Sequence, residues 1–316
     1  MKDSKQLSDL YLNSKKDGLT ETKAFAKIKT ELKNIYHQLG LSALIKTISD
    51  ISVACFTKSK DAEVFAKGFF SIIAGEGDVV NSEMCSLFEQ WLLMFPKSLL
   101  LTEMLADIYG AVINETNDVA YTKKLEELVK ENPLLKNAAL QQSSTLMYSH
   151  DTKDVIEYTK AVEKIKSFFD KFPEIEFAID YANGLKYLTH KQEEEEAIQS
   201  VNKLRLLNKN WNNHFIAYEY LNALSSLTWK QDEKACLATL QEMESLWENW
   251  PHKPENLAMW LCYTYSNYSL CIEGEEKKAV AKRVNELSVY WEPASRMATQ
   301  IENGNYQYAV KPARAK

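Results

Sequence analysis

The chain has little of what marks an enzyme or a membrane protein. Its 316 residues include only 9 glycines and 7 prolines. So few turn-formers disfavour a many-stranded β fold and point to long helices. The glycines build no phosphate cradle, since neither GxGxxG nor a GxxxxGKS/T loop is present, and Gly75-Glu76-Gly77 reads as a turn. No GxSxG elbow offers a nucleophile. The histidines (His37, His150, His190, His214, His252) lie far apart and show no HExxH or other ligand spacing. No metal, cofactor or catalytic residue is therefore expected. The five cysteines (Cys55, Cys85, Cys236, Cys262, Cys271) form no CxxC pair and sit in apolar helical contexts. Buried reduced thiols and a reducing, cytoplasmic compartment follow. No apolar run approaches the length of a membrane span, and the start Met1-Lys2-Asp3-Ser4-Lys5-Gln6 does not read as a signal peptide.

What is present is apolar content and rhythm. Hydrophobic residues make up 45% of the chain, which suffices for burial and excludes global disorder. The net charge is −6, while Lys2, Lys5, Lys15, Lys16, Lys23, Lys27, Lys29 and Lys33 crowd the N-terminus and Lys311, Arg314 and Lys316 the C-terminus. Such runs are usually solvated helix faces. A nucleic-acid contact is accordingly not the expected role.

The rhythm is clearest in an echo. Leu188-Thr189-His190-Lys191-Gln192-Glu193 returns 39 residues later as Leu227-Thr228-Trp229-Lys230-Gln231-Asp232. Phe172, Trp211 and Trp250 form an aromatic ladder at the same spacing. Helix stops recur at Pro96, Pro133, Pro173, the Trp211-Asn212 junction, Pro251 and Pro293, because proline cannot continue a helix. Between stops, a first helix rich in Leu, Ala and Tyr precedes a polar turn and a second helix ending in an apolar or aromatic cluster. First helices are predicted at 100–112, 140–148, 177–188, 215–227 and 257–270. The reading is an all-α stack of helix pairs. Residues 1–56 form an N-terminal helical cap, 57–302 the repeats (units ending near 96, 133, 173, 212, 251 and 293) and 303–316 a flexible tail.

Leu105-Ala106 with Tyr109 ahead of Pro133, and Gly184 with Tyr187 ahead of Glu193-Glu194-Glu195-Glu196-Ala197-Ile198, resemble tetratricopeptide-type repeats. These units run 37 to 42 residues, longer than that family's, and Asn212 stands where its proline would. The resemblance covers roughly residues 61–293 and implies a right-handed solenoid whose first helices line a concave groove. Glu103, Asp107, Tyr181, Tyr220, Met259, Tyr263 and Asn267 fall at positions similar to that family's groove-facing ones. A partner protein or peptide with basic and apolar parts is the implied ligand. Trp211, Trp250 and Trp291 are expected in the core and Trp229 in an exposed turn. The run Glu193 to Glu196 points four ways around a helix start, so it complements the dipole and does not converge on an ion.

The expectation is a non-catalytic protein-binding scaffold, with no membrane contact. An immunity-type inhibitor that blocks a toxin is the first alternative, and a nucleic-acid-binding helical-repeat protein the second.

Overall fold

The computed structural model describes residues 2–73, 80–250 and 253–304. Among them there is no strand, and sixteen α-helices follow in chain order. These are α1 (Ser4–Lys16), α2 (Glu21–Leu39), α3 (Leu41–Cys55), α4 (Ser59–Ile73), α5 (Ser82–Met94), α6 (Leu99–Thr116), α7 (Val119–Glu131) and α8 (Lys136–Tyr148). They continue with α9 (Val155–Lys171), α10 (Ile175–Lys191), α11 (Glu194–Trp211), α12 (His214–Thr228), α13 (Glu233–Asn249), α14 (Glu255–Ser269), α15 (Gly274–Glu286) and α16 (Ala294–Asn303). The turn expected at 75–78, Pro251, His252 and the tail from 305 onward lie outside the described residues. By internal contacts the chain forms two compact units, Met1–Thr145 and Leu146–Lys316.

In the first unit α2, α4 and α6 pack in series, while α3 and α5 each bridge neighbouring members of that row. The stretch 1–56 shares a core with α4. Phe65 of α4 is ringed edge-on by Tyr11 at 5.1 Å, Phe25 at 4.8 Å and Phe56 at 4.7 Å. Gly68 permits this approach, because a Cβ there would fall 2.1 Å from the Phe25 ring. Helix α1 opens on a capping box, Asp3 accepting from the Gln6 N–H and Gln6 from the Asp3 N–H. At the heart of the unit Asp61, 0% exposed, accepts from the Tyr11 hydroxyl (2.7 Å), Lys15 Nζ (2.5 Å) and the Thr57 and Lys58 N–H groups (3.2 Å each). Lys15 is thereby withdrawn from the N-terminal lysine run.

From α9 to α13 the second unit keeps the 39-residue register to the residue, and α14 and α15 begin 41 residues after α12 and α13. Helices α9, α11 and α13 begin at Val155, Glu194 and Glu233, and α10 and α12 at Ile175 and His214. Helices α10, α12, α14 and α16 pack as a first row, and α9, α11, α13 and α15 lie against it. The leucine, glutamine and lysine of the echo each have a repeated task. Leu188 and Leu227 are 4% and 3% exposed. Gln192 accepts from the Ser200 hydroxyl at 2.7 Å, and Gln231 from the Thr239 hydroxyl at 2.8 Å, tying each turn to its second helix. Lys191 Nζ donates to the Lys153 carbonyl and Lys230 Nζ to the His190 carbonyl, one turn back. The change from Glu193 to Asp232 also has a reason. Asp232 caps α13 through the Ala235 N–H at 2.8 Å, whereas the longer Glu193 makes no side-chain cap bond.

The stops follow the same logic. Pro96, Pro133 and Pro173 each lie two residues past the last residue of a second-row or equivalent helix. Where proline is missing, Asn212 ends α11 by taking the left-handed conformation at φ 41°. The ladder residues Phe172, Trp211 and Trp250 are half-buried, and both tryptophans, with Trp291, pack against the core.

Trp229 departs from expectation. It is half-buried rather than exposed, at the C-cap of α12. Trp229→His should therefore cost about 1 kcal/mol, near half the transfer value of a fully buried large side chain. Urea denaturation would read this directly, and a loss as large as that of a buried leucine would mean the turn is packed core.

Candidate functional site

The seven residues expected to line one groove are differently placed. Glu103 and Asp107 belong to the first unit and the other five to the second. Asp107 is exposed and accepts from Asn137 Nδ2 (3.0 Å) and Gln141 Nε2 (2.8 Å), while Glu103 is half-buried. Tyr181 and Tyr220 are 6% and 2% exposed. Asn267 is buried as well, its Nδ2 donating to Thr228 Oγ1 (2.8 Å) and the Ser225 carbonyl (3.3 Å). These three side chains knit first-row helices to their neighbours and present little surface to a partner. Met259 and Tyr263 are half-buried, and Tyr263 stands between Trp260 (5.7 Å) and Trp291 (5.6 Å).

The tyrosines belong to a recurring clamp that the sequence reading missed. In the first unit the Tyr109 hydroxyl of α6 donates to Glu89 of α5 at 2.8 Å, and Lys124 Nζ of α7 reaches the same carboxylate at 2.7 Å. In the second unit Tyr220 of α12 donates to Glu242 of α13, which also takes two bonds of 2.8 Å from Arg205 of α11. Next along, Tyr265 of α14 donates to Glu244 of α13, and Arg283 of α15 binds that carboxylate through two bonds of 2.9 Å. Each clamp joins two second helices across the tyrosine of the first helix between them. Burial alone would raise the pKa of Glu242, but the bonds from Arg205 and Tyr220 outweigh it and hold it below the ordinary value. Burial and the neighbouring carboxylates push the three tyrosine hydroxyls above their usual range, so they stay donors. A forked guanidinium on a carboxylate is the strongest of these contacts.

Two surface depressions hold clamps. One lies between α5 and α7 over α6 and another between α13 and α15 over α14, and each contains a clamp. A third, of about 460 Å³, lies between α9 and α11 over α10. Its floor holds Val162, Tyr181, Leu185 and Leu188. Val155 and Ile156, at 37% and 65% exposure, stand on its α9 wall.

This third groove has no clamp. Shifting the α11–α13 clamp by 39 residues turns Tyr220 into Tyr181, Arg205 into Lys166 and Glu242 into Lys203. Lys166 and Lys203 both line the groove. Lys166 pairs only with Asp170 on its own helix (2.5 Å), both side chains about half exposed, and Lys203 has no hydrogen bond or ion pair among the described residues. The Tyr181 hydroxyl likewise has no hydrogen-bond partner there; burial and then the charge of Asp170 push its pKa to about 12.

A second polar cluster lies on the first-row helices. Lys186 of α10, buried, sits 3.3 Å from Glu219 of α12 and 3.4 Å above the centre of the Tyr187 ring, against which His150 also stacks at 3.4 Å. Burial raises the pKa of Glu219 against the opposing pull of Lys186. His190 Nε2 meets Asn222 Oδ1 (3.2 Å) and the Ser226 hydroxyl (2.9 Å); desolvation, with Lys186 and Lys230 nearby, holds its pKa below the ordinary value. These pairs join α10 to α12 as the clamps join the second helices.

Among the described residues no cluster of three or more His, Cys, Asp or Glu could hold a metal, and no helix is long and apolar enough to cross a membrane. All five cysteines are free and four of them are buried. No protein-family model, curated protein or solved structure matches the chain. The fold alone defines its class, an all-α protein of helices packed in neighbouring pairs.

The clamps escaped the sequence because their members lie 15 to 39 residues apart. Helical spacing rules cover only three and four. One signal was present: in the 39-residue register an arginine and a glutamate both become lysine around a constant tyrosine.

Proposed function

We propose that this chain is a non-catalytic binding scaffold of the tetratricopeptide-like kind, a right-handed stack of helix pairs opened by an N-terminal helical cap. It holds a partner protein through a peptide segment laid in the α9–α11 groove. The observation that carries this reading is the groove itself, apolar-floored and unclamped beside neighbours stitched shut by their own ion pairs. Small concave sites with an apolar base and a few convergent polar groups are the usual place for a ligand. Free and mostly buried thiols support a cytoplasmic setting.

The test is affinity capture from the host with wild type and with Val155→Asp/Ile156→Asp. Both positions are exposed and open α9, where acidic residues suit the helix dipole, so the fold should survive with an unchanged helical signal. Partners held by the wild type should be lost from the variant. An identical set captured by both proteins sinks the groove as the docking site.

A further inference from the structure

The clamped grooves define what the open one lacks. In each of them a tyrosine hydroxyl and a cationic side chain converge on one carboxylate supplied by the chain. The α9–α11 groove keeps the donors and loses the acceptor, Lys166 and Lys203 lining it with Tyr181 at the positions equivalent to Arg205, Glu242 and Tyr220. We infer that the segment docking there carries an aspartate or glutamate, whose carboxylate lies between Lys166 and Lys203 at Tyr181 and completes the clamp from outside. The inference rests on the reading of this groove as a docking site.

The rest of the lining narrows the segment. Glu163, Glu193 and Glu196 also face the groove, so a run of acidic residues would be repelled. Lys191 lines the end near α11's start, but its amine already donates to the Lys153 carbonyl. The one lysine of the groove without a partner among the described residues, Lys203, is thus at the Tyr181 end, beside the Lys166–Asp170 pair. Val155 and Ile156 stand about three helical turns along α9 from Lys166, at the opposite end of the groove. The fitting occupant is an aliphatic segment with a single acid near one end. This is opposite in charge to the partner that the sequence suggests. Lys166 is only loosely engaged by Asp170, since exposed pairs one helical turn apart are weak.

A display library of random dodecapeptides would be selected on the wild-type protein and on Lys203→Glu and Ile156→Asp. Lys203→Glu should install the missing acid, with Lys166 in the role of Arg205, and so close the groove from within. Lys203→Gln removes the charge without offering a new clamp and guards against a folding defect. Wild type should enrich peptides that combine one acid with aliphatic residues. Those peptides should bind both Lys203 variants about tenfold more weakly or worse, as should their Asn or Gln counterparts on wild type. Peptides enriched without preference for an acid, lost on Ile156→Asp but retained on both Lys203 variants, would overturn the carboxylate and leave the groove standing. No enrichment relative to Ile156→Asp would overturn both.

Discussion

Asp61→Ala is expected to cost about 3–5 kcal/mol, a large part of the stability of an ordinary domain. Four donors converge on this carboxylate from two places: Tyr11 and Lys15 on α1, and the backbone of Thr57 and Lys58 ahead of α4. The carboxylate is wholly buried, so water cannot replace it, and the Tyr11 hydroxyl is left without its acceptor. Asp61→Asn keeps an acceptor and should lose less. Burial would raise the pKa of Asp61, but the bonds from Lys15, Tyr11 and the Thr57 N–H outweigh it and hold it below the usual carboxylate value. A depressed folded-state pKa contributes stability that is present above the unfolded value and lost as pH falls through the folded one. The gap between wild type and Asp61→Ala should therefore be full at neutral pH and shrink only below the ordinary aspartate range, about pH 4. Urea midpoints across that range give the answer. A gap of under 1 kcal/mol at neutral pH, or one that does not change with acid, would contradict this account.

Leu188→Ala and Leu227→Ala should each cost about 2–5 kcal/mol, the usual range for truncating a buried leucine. Both belong to the continuous core of the second unit. The stronger expectation is that the two losses are similar. The leucines occupy one position of a repeat whose helix starts, turn glutamines and lysine-to-carbonyl bonds all recur. Equilibrium denaturation of both variants would settle it. A severe loss from one with almost none from the other would break the equivalence.

The leucine pair marks where the sequence was legible, and Asp61 where it was not. The 39-residue spacing in the echo recurs in the helix starts from α9 to α13, because a repeated unit places the same stop and the same cap each time. Asn212 is the instructive case. The missing proline looked like an irregularity, yet asparagine tolerates a left-handed backbone and ends the helix as well. Helix α1 escaped notice, although Asp3 and Gln6 carry a capping-box spacing and Leu7 and Tyr11 a buried stripe. Asp61 was invisible for another reason. A buried acid looks like a surface acid until the chain is folded back to Tyr11, 50 positions earlier.

The candidate site was read least well. Tyr181 and Tyr220 were correctly paired as equivalents but placed on an open surface, since periodicity gives a face and not the reach of a hydroxyl to Glu242. The two equivalents have opposite surroundings. Tyr220 is spent on an internal carboxylate, and Tyr181 has none. That difference follows from Glu242 and Arg205 both becoming lysine 39 residues earlier, a change that acquires meaning only once the clamp has been seen.

The most direct test of the central claim is hydrogen–deuterium exchange on the protein with and without its captured partner. Protection should appear in residues 155–166 and 188–203, the walls of the unclamped groove. The walls of the clamped α13–α15 groove, 237–248 and 276–283, should exchange as they do in the free protein. Protection of the clamped walls with none along α9 and α11 would contradict the account.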